Sequence, residues 1–268
     1  REDSLRLLTQ GYAWLPDRRR GLRRRTVHTH LGGLPVLGLV GPAAARFFYD
    51  EQHVRRSHAI PEPVQGTLFG KGAVHTLDGE AHRVRKAMFV ALLMDGGADE
   101  LAERARNAWD DAVPAWAERR EIVLFTESAP VLTRAVTAWA GVPLAEGEVL
   151  PVARDLQAMV DGFATAGPRH WRARRARGRR EAALARVVER VRAGELAARR
   201  GSVLEVVSTH RDVDGRLLDA RVAAVELLNV IRPTVAISWF LAFSGHALIR
   251  RPEHRERLAG DDPAFAEA

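Results

Sequence analysis

The sequence predicts a mainly α-helical fold with one small β element near its N-terminus. Three observations predict it. Most of the 268 residues fall into successive segments whose apolar positions recur at helical spacing. One stretch, THLGGLPVLGLVG at 29–41, sets β-forming residues between glycine and proline breaks and reads as a strand pair. No fixed-period repeat and no Ser/Gly-rich linker divides the chain, so a single domain over 1–268 is expected.

The elements follow in order. SLRLLTQGYAWL near the start has the spacing of a short helix. GPAAARFFYDEQHVRR opens a second one with proline in its first turn. IPEPVQG reads as a loop. DGEAHRVRKAMFVALL at 78–93 has an acidic start and basic residues further along, as a helix dipole favours. Amphipathic segments predict helices over 98–117, 128–140, 150–164, 179–199 and 202–210. The turn DVDGR precedes a last helix over 218–248.

Composition narrows the function classes. The chain has no cysteine, which removes disulfides, thiolate ligands and thiol nucleophiles from these 268 residues. The first twenty residues carry charges where a signal peptide needs an apolar stretch. The longest apolar run, around 222–243, holds Glu226, Asn229, Arg232 and Pro233, which a membrane span tolerates badly. A soluble cytoplasmic protein is expected. The net charge of +7 points towards anionic partners, but Lys71 and Lys86 are the only lysines. That imbalance reads as compositional bias, and the runs RRRGLRRR (18–25) and RHWRARRARGRR (169–180) read first as solvated helix faces or loops. Chain start at Arg1 and end at FAEA lead us to expect a segment of a longer protein.

The most apolar run poses the sharpest question. ELLNVIRPTVAISWF places an arginine and a proline at its middle. A buried arginine is costly unless an anion meets it. Pro233 takes the intrahelical partner from the Asn229 carbonyl, so a local bulge with Arg232 at its lip is expected. A guanidinium fork suits a carboxylate or phosphate. The alternative is a structural ion pair, with Glu226 as the nearest acid on the same helix.

At this point the sequence resembles a known family. ELLNVIRPTVAISWFLAFSGHAL is similar to the distal helix of the fatty-acid peroxygenase branch of the cytochromes P450, the CYP152 type, in which an Arg-Pro pair replaces the usual acid–alcohol pair. GTLFGKGAVHTLDGEAHRVRKAMF, FFYDEQHVRRSHAIPEPVQ and QAMVDGFATAG resemble the same branch in the same order. The resemblance covers essentially the whole chain. It implies a P450 fold with a small N-terminal β element, incomplete at its C-terminus, about two thirds of the domain.

The resemblance also implies a function. The cofactor would be haem b, iron protoporphyrin IX, and the partners a long-chain fatty acid and hydrogen peroxide. No redox partner, nucleic acid or membrane span would be needed. Arg232, with Pro233 beside it, would hold the fatty-acid carboxylate, which would itself act as acid and base. Clamping the carboxylate would bring Cα and Cβ nearest the haem, giving α- or β-hydroxylation or decarboxylation to a terminal alkene. His75 matches a position above the haem at which histidine leans towards decarboxylation. Leu68, Phe69, Val160 and Phe163 match substrate-pocket positions, and Asn229 a neighbour of the Arg-Pro site. His82 and Lys86 match residues that pair with haem propionates, and Arg56 would be a third such contact.

One departure is large. P450 haem iron is held by a cysteine thiolate, and this chain has no cysteine. The axial ligand is therefore expected downstream of this segment, and the segment alone is expected to be inactive. Two other readings stay open: a non-catalytic relative that only binds fatty acids, and a basic helical protein that binds nucleic acid.

Overall fold

The structure, a computed structural model, describes residues 2–22 and 26–260. Residues 23–25 of the first arginine run and the FAEA end lie outside them. The chain forms two compact units, Arg1–Arg55 and Arg56–Ala268.

The first unit holds α1 (Ser4–Gln10), α2 (Trp14–Leu22), the strands β1 (Thr26–Leu31) and β2 (Leu34–Leu39), and α3 (Pro42–Tyr49). The strands pair antiparallel, with Leu31 opposite Leu34 across a Gly32-Gly33 turn. Both glycines have positive φ, 60° and 78°, which a tight two-residue hairpin demands. Buried Asp3 ties this unit together: it accepts the Thr29 hydroxyl at 2.8 Å and pairs with Arg18 at 3.1 Å.

The second unit is helical. A short turn α4 (Glu62–Val64) runs on into a π-helical stretch, Gln65–Phe69. Then come α5 (Gly79–Leu93), α6 (Gly97–Ala117), α7 (Leu124–Ala140), α8 (Glu146–Asp161), α9 (Pro168–Arg192), α10 (Val203–Thr209), α11 (Ala220–Arg250) and α12 (Pro252–Ala259). The mainly α reading with one β hairpin holds. Most boundaries move by a few residues, and one helix moves further. The helix expected over 179–199 instead starts at Pro168, whose fixed φ suits a first turn, and stops before Gly194, whose φ of 74° ends it. The segment IPEPVQG is not all loop, because its prolines fall where a helix begins rather than inside one.

The core lies where α11 packs against α7 and α9. Leu156, Met159, Leu204, Leu227 and Leu228 are among the largest fully buried side chains. Each contributes about 1.5–3 kcal/mol of burial. On α11, every residue from Ala223 to Arg232 is buried, whereas Phe240 and Phe243 are exposed. The expected bulge does not interrupt this helix: α11 continues through Pro233, which faces outward while Thr234 and Val235 beyond it are buried again. Packing on both sides of the proline outweighs the hydrogen bond it removes. By length and composition α11 could cross a membrane, but half of its most apolar window is buried inside the protein.

Candidate functional site

Burial sets up the site on α11. Three arginines are buried among the described residues: Arg85, Arg177 and Arg232. Arg85, on α5, donates to Glu226 at 2.7 Å and also pairs with Asp212. Arg177, on α9, pairs with Glu181 one turn later at 2.6 Å and donates to the Leu68 carbonyl at 2.6 Å. Arg232 is only 7% exposed and has no acid and no hydrogen-bond partner among the described residues. Burial, with Arg177 nearby, pulls its pKa down to about 10. It stays protonated at neutral pH, as a cation that lacks an anion.

This overturns the ion pair considered between Arg232 and Glu226. Glu226 is fully buried and already committed: Oε1 accepts from Arg85 and from the Val74 backbone N–H, and Oε2 from Asn229. Burial nevertheless pushes its pKa up, against the pull of Arg85.

Several other expected residues gather with Arg232 or with its helix. Asn229, one turn earlier on α11, donates to the Phe69 carbonyl at 3.0 Å, which ties α11 to the π-helical stretch. The Phe69 ring lies 4.7 Å from that of His75 and edge-on to Phe163 at 6.4 Å. His75 is partly buried and its Nδ1 is buried without a hydrogen-bond partner. Its pKa is lowered, first by burial and then by the charges of Arg232, Arg177 and His82. At neutral pH the imidazole is uncharged. Leu68 and Val160 are partly buried, on the π-helical stretch and on α8, while Phe163 lies just past the end of α8 and is 42% exposed.

The remaining three sit elsewhere in the unit. His82 is buried on α5, and Lys86, one turn on, is exposed. Arg56 is partly buried, and its backbone N–H donates to Asp78 at 2.6 Å. Bonds from Ser57 and Arg56 hold the Asp78 carboxylate down to a pKa of about 2.

Sequence reasoning missed Arg85, Asp212, Arg177 and Glu181. Arg177 corrects the reading of the second arginine run as solvated, since it is 2% exposed. Its neighbours do face solvent, but in ion pairs: Arg169 and Arg172 with Asp161, Arg174 with Glu62, Arg179 and Arg180 with Asp155. The spacing of Arg177 and Glu181 was the one available signal.

Solved structures share this architecture over almost the whole chain. A variant of cytochrome P450 OleT in complex with arachidonic acid matches 98% of this chain at 31% identity and a TM-score of 0.93. Cytochrome P450SP alpha (CYP152B1) in complex with (R)-ibuprophen matches 98% at 38% identity and 0.94. Cytochrome P450EX alpha (CYP152N1) with myristic acid matches 96% at 35% identity and 0.91. The chain has the cytochrome P450 fold, which it shares with these CYP152 proteins. It spans 63%, 65% and 62% of those three P450 chains. No protein-family model matches it.

Proposed function

We propose that the protein to which this chain belongs is a hydrogen-peroxide-dependent haem-thiolate enzyme that oxidises long-chain fatty acids. One observation carries the reading: of three buried arginines, only Arg232 lacks an acid partner among the described residues. A buried cation without an anion is costly, and the carboxylate of a fatty acid supplies the missing charge. An OleT variant and P450EX alpha, which share the fold, form complexes with arachidonic and myristic acid.

Each of this chain's residues then has a task. The Arg232 guanidinium binds and orients the substrate carboxylate, and its charge keeps that carboxylate ionised until it accepts a proton. The carboxylate oxygen serves as acid and base, and the anchored head group presents Cα and Cβ for oxidation. Pro233 follows at the turn that bears the clamp. Asn229 steadies that turn through the Phe69 carbonyl. His75, uncharged and with an unused Nδ1, can accept a hydrogen bond without competing for the carboxylate. In this scheme it steers the outcome towards decarboxylation. Leu68, Phe69, Val160 and Phe163 line the alkyl chain and exclude water.

Haem b fits part of this chain. His82 and Lys86 share one face of α5 and, with Arg56, would hold its propionates. The iron's axial thiolate cannot come from these residues, because none is cysteine. When bound, the haem supplies the oxidising chemistry driven by peroxide. The test is to express the full-length protein, record its carbon-monoxide difference spectrum, and add a long-chain fatty acid with hydrogen peroxide. A thiolate-haem spectrum with hydroxylated or alkene product supports the reading. Fatty-acid binding without haem or product would leave a binding protein instead.

A further inference from the structure

Glu226 does more than neutralise Arg85. It is fully buried, and its two oxygens reach three different segments. Oε1 accepts from Arg85 Nη1 on α5 at 2.7 Å and from the Val74 backbone N–H at 2.7 Å. Oε2 accepts from the Asn229 side-chain nitrogen at 3.2 Å, and that nitrogen also donates to the Phe69 carbonyl at 3.0 Å. Arg85 has a second acid in Asp212, so its charge would be met without Glu226. A buried carboxylate is costly to desolvate, and an apolar side chain of similar size would fill the space without that cost.

What the carboxylate ties together is the loop that carries the site's aromatic wall. Phe69 and Val74 bracket the short stretch GKGA (70–73), and His75 follows directly. Gly70 and Gly72 have φ of +85° and +76°, and neither has a side chain to pack. Lys71 between them is exposed. One carboxylate holds both ends of this loop, directly at Val74 and through Asn229 at Phe69. Arg85, held by the same carboxylate, adds a bond from Nη1 to the Gly72 carbonyl at 3.3 Å. The rings of Phe69 and His75 then meet at 4.7 Å. Both tethers leave α11 from the turns just before Arg232.

We infer that Glu226 is a positioning residue of the Arg232 site, fixing Phe69 through Asn229 and the His75 turn through Val74 against α11. The inference rests on the fatty-acid function proposed above. Glu226 does not touch the substrate; it acts through residues that line it. Without its oxygens, Phe69 and His75 no longer keep one arrangement beside the helix that bears the clamp, and the orientation of a bound acid is lost with it.

The test uses Glu226→Gln in the full-length protein, because removing the whole side chain endangers the fold. The glutamine keeps an oxygen for Arg85 and the Val74 N–H, but its amide donor meets the Asn229 amide donor, so the tie to Phe69 is lost. Calorimetric titration with myristic acid should show binding weakened by about tenfold in Glu226→Gln and in Asn229→Ala. The double variant should bind no more weakly than Glu226→Gln alone, since both changes break one tether. With hydrogen peroxide, the ratio of alkene to hydroxy acid should shift in Glu226→Gln, which a loss of stability alone would not cause. Undiminished binding in Glu226→Gln, effects that multiply in the double variant, or an unchanged product ratio would each overturn the assignment. If the unaltered protein binds the acid but forms no product, the peroxygenase reading fails and the binding series alone decides. No binding by the unaltered protein would overturn the function and this inference together.

Discussion

Glu226 is held by Arg85 at 2.7 Å, and that pairing leaves Arg232, further along the same helix, without an acid among the described residues. Arg85 takes both Glu226 and Asp212, so the positive charge of Arg232 is a local surplus with no acid paired to it among the described residues. The functional reading rests on that surplus.

A surplus buried charge should cost stability when no substrate is present. Arg232→Met keeps the volume and removes the charge. It should stabilise the empty protein by about 1 kcal/mol or more, as replacements of uncompensated buried ions do. Urea unfolding of the two proteins checks this. Equal or lower stability of the variant would mean that Arg232 is already neutralised.

The Arg85–Glu226 pair should behave in the opposite sense. Glu226→Ala leaves Arg85 with Asp212 alone and strips the Val74 N–H of its acceptor. The expected loss is about 3–5 kcal/mol. Adding Arg85→Ala should cost less than the sum of the two single changes by roughly 1–3 kcal/mol. A double-mutant cycle by urea unfolding measures both quantities.

His75 should report the electrostatics of the site. Its folded pKa lies below the ordinary value of 6.5 because of burial and the nearby arginines. Between the folded and unfolded values the unfolded chain binds more protons. This histidine therefore contributes stability that is complete above about pH 6.5 and is lost as pH falls through that window. His75→Gln should flatten that part of the stability profile. A fatty-acid carboxylate on Arg232 should raise the His75 pKa, which NMR titration with and without ligand would detect.

Asp78 governs a more acidic window. Its folded pKa of about 2 lies below the ordinary carboxylate value, so its contribution is present above about pH 4 and is lost as pH falls towards 2. Asp78→Asn should remove that part of the acid limb in a pH series of unfolding midpoints.

Local patterns were legible in the sequence, and long-range pairings were not. The hairpin, the helix after Asp78 and the long last helix follow from apolar spacing and turn residues. The exceptional character of Arg232 was visible because an arginine in an apolar run has few explanations. The partner of Glu226 was not visible, since Arg85 lies 141 residues away and nothing local selects it. Arg177 was hidden for a different reason. In an arginine-rich helix, composition cannot say which guanidinium turns inward, and packing against the 65–70 backbone decides it.

The most direct measurement compares binding of myristic acid and of the alcohol of equal chain length to the full-length protein, with and without Arg232→Ala. If Arg232 holds the carboxylate, the acid binds more tightly than the alcohol, and the variant abolishes that preference with a loss of about thirtyfold or more for the acid. Equal binding of acid and alcohol by the unaltered protein, or an undiminished preference in the variant, would contradict the carboxylate clamp.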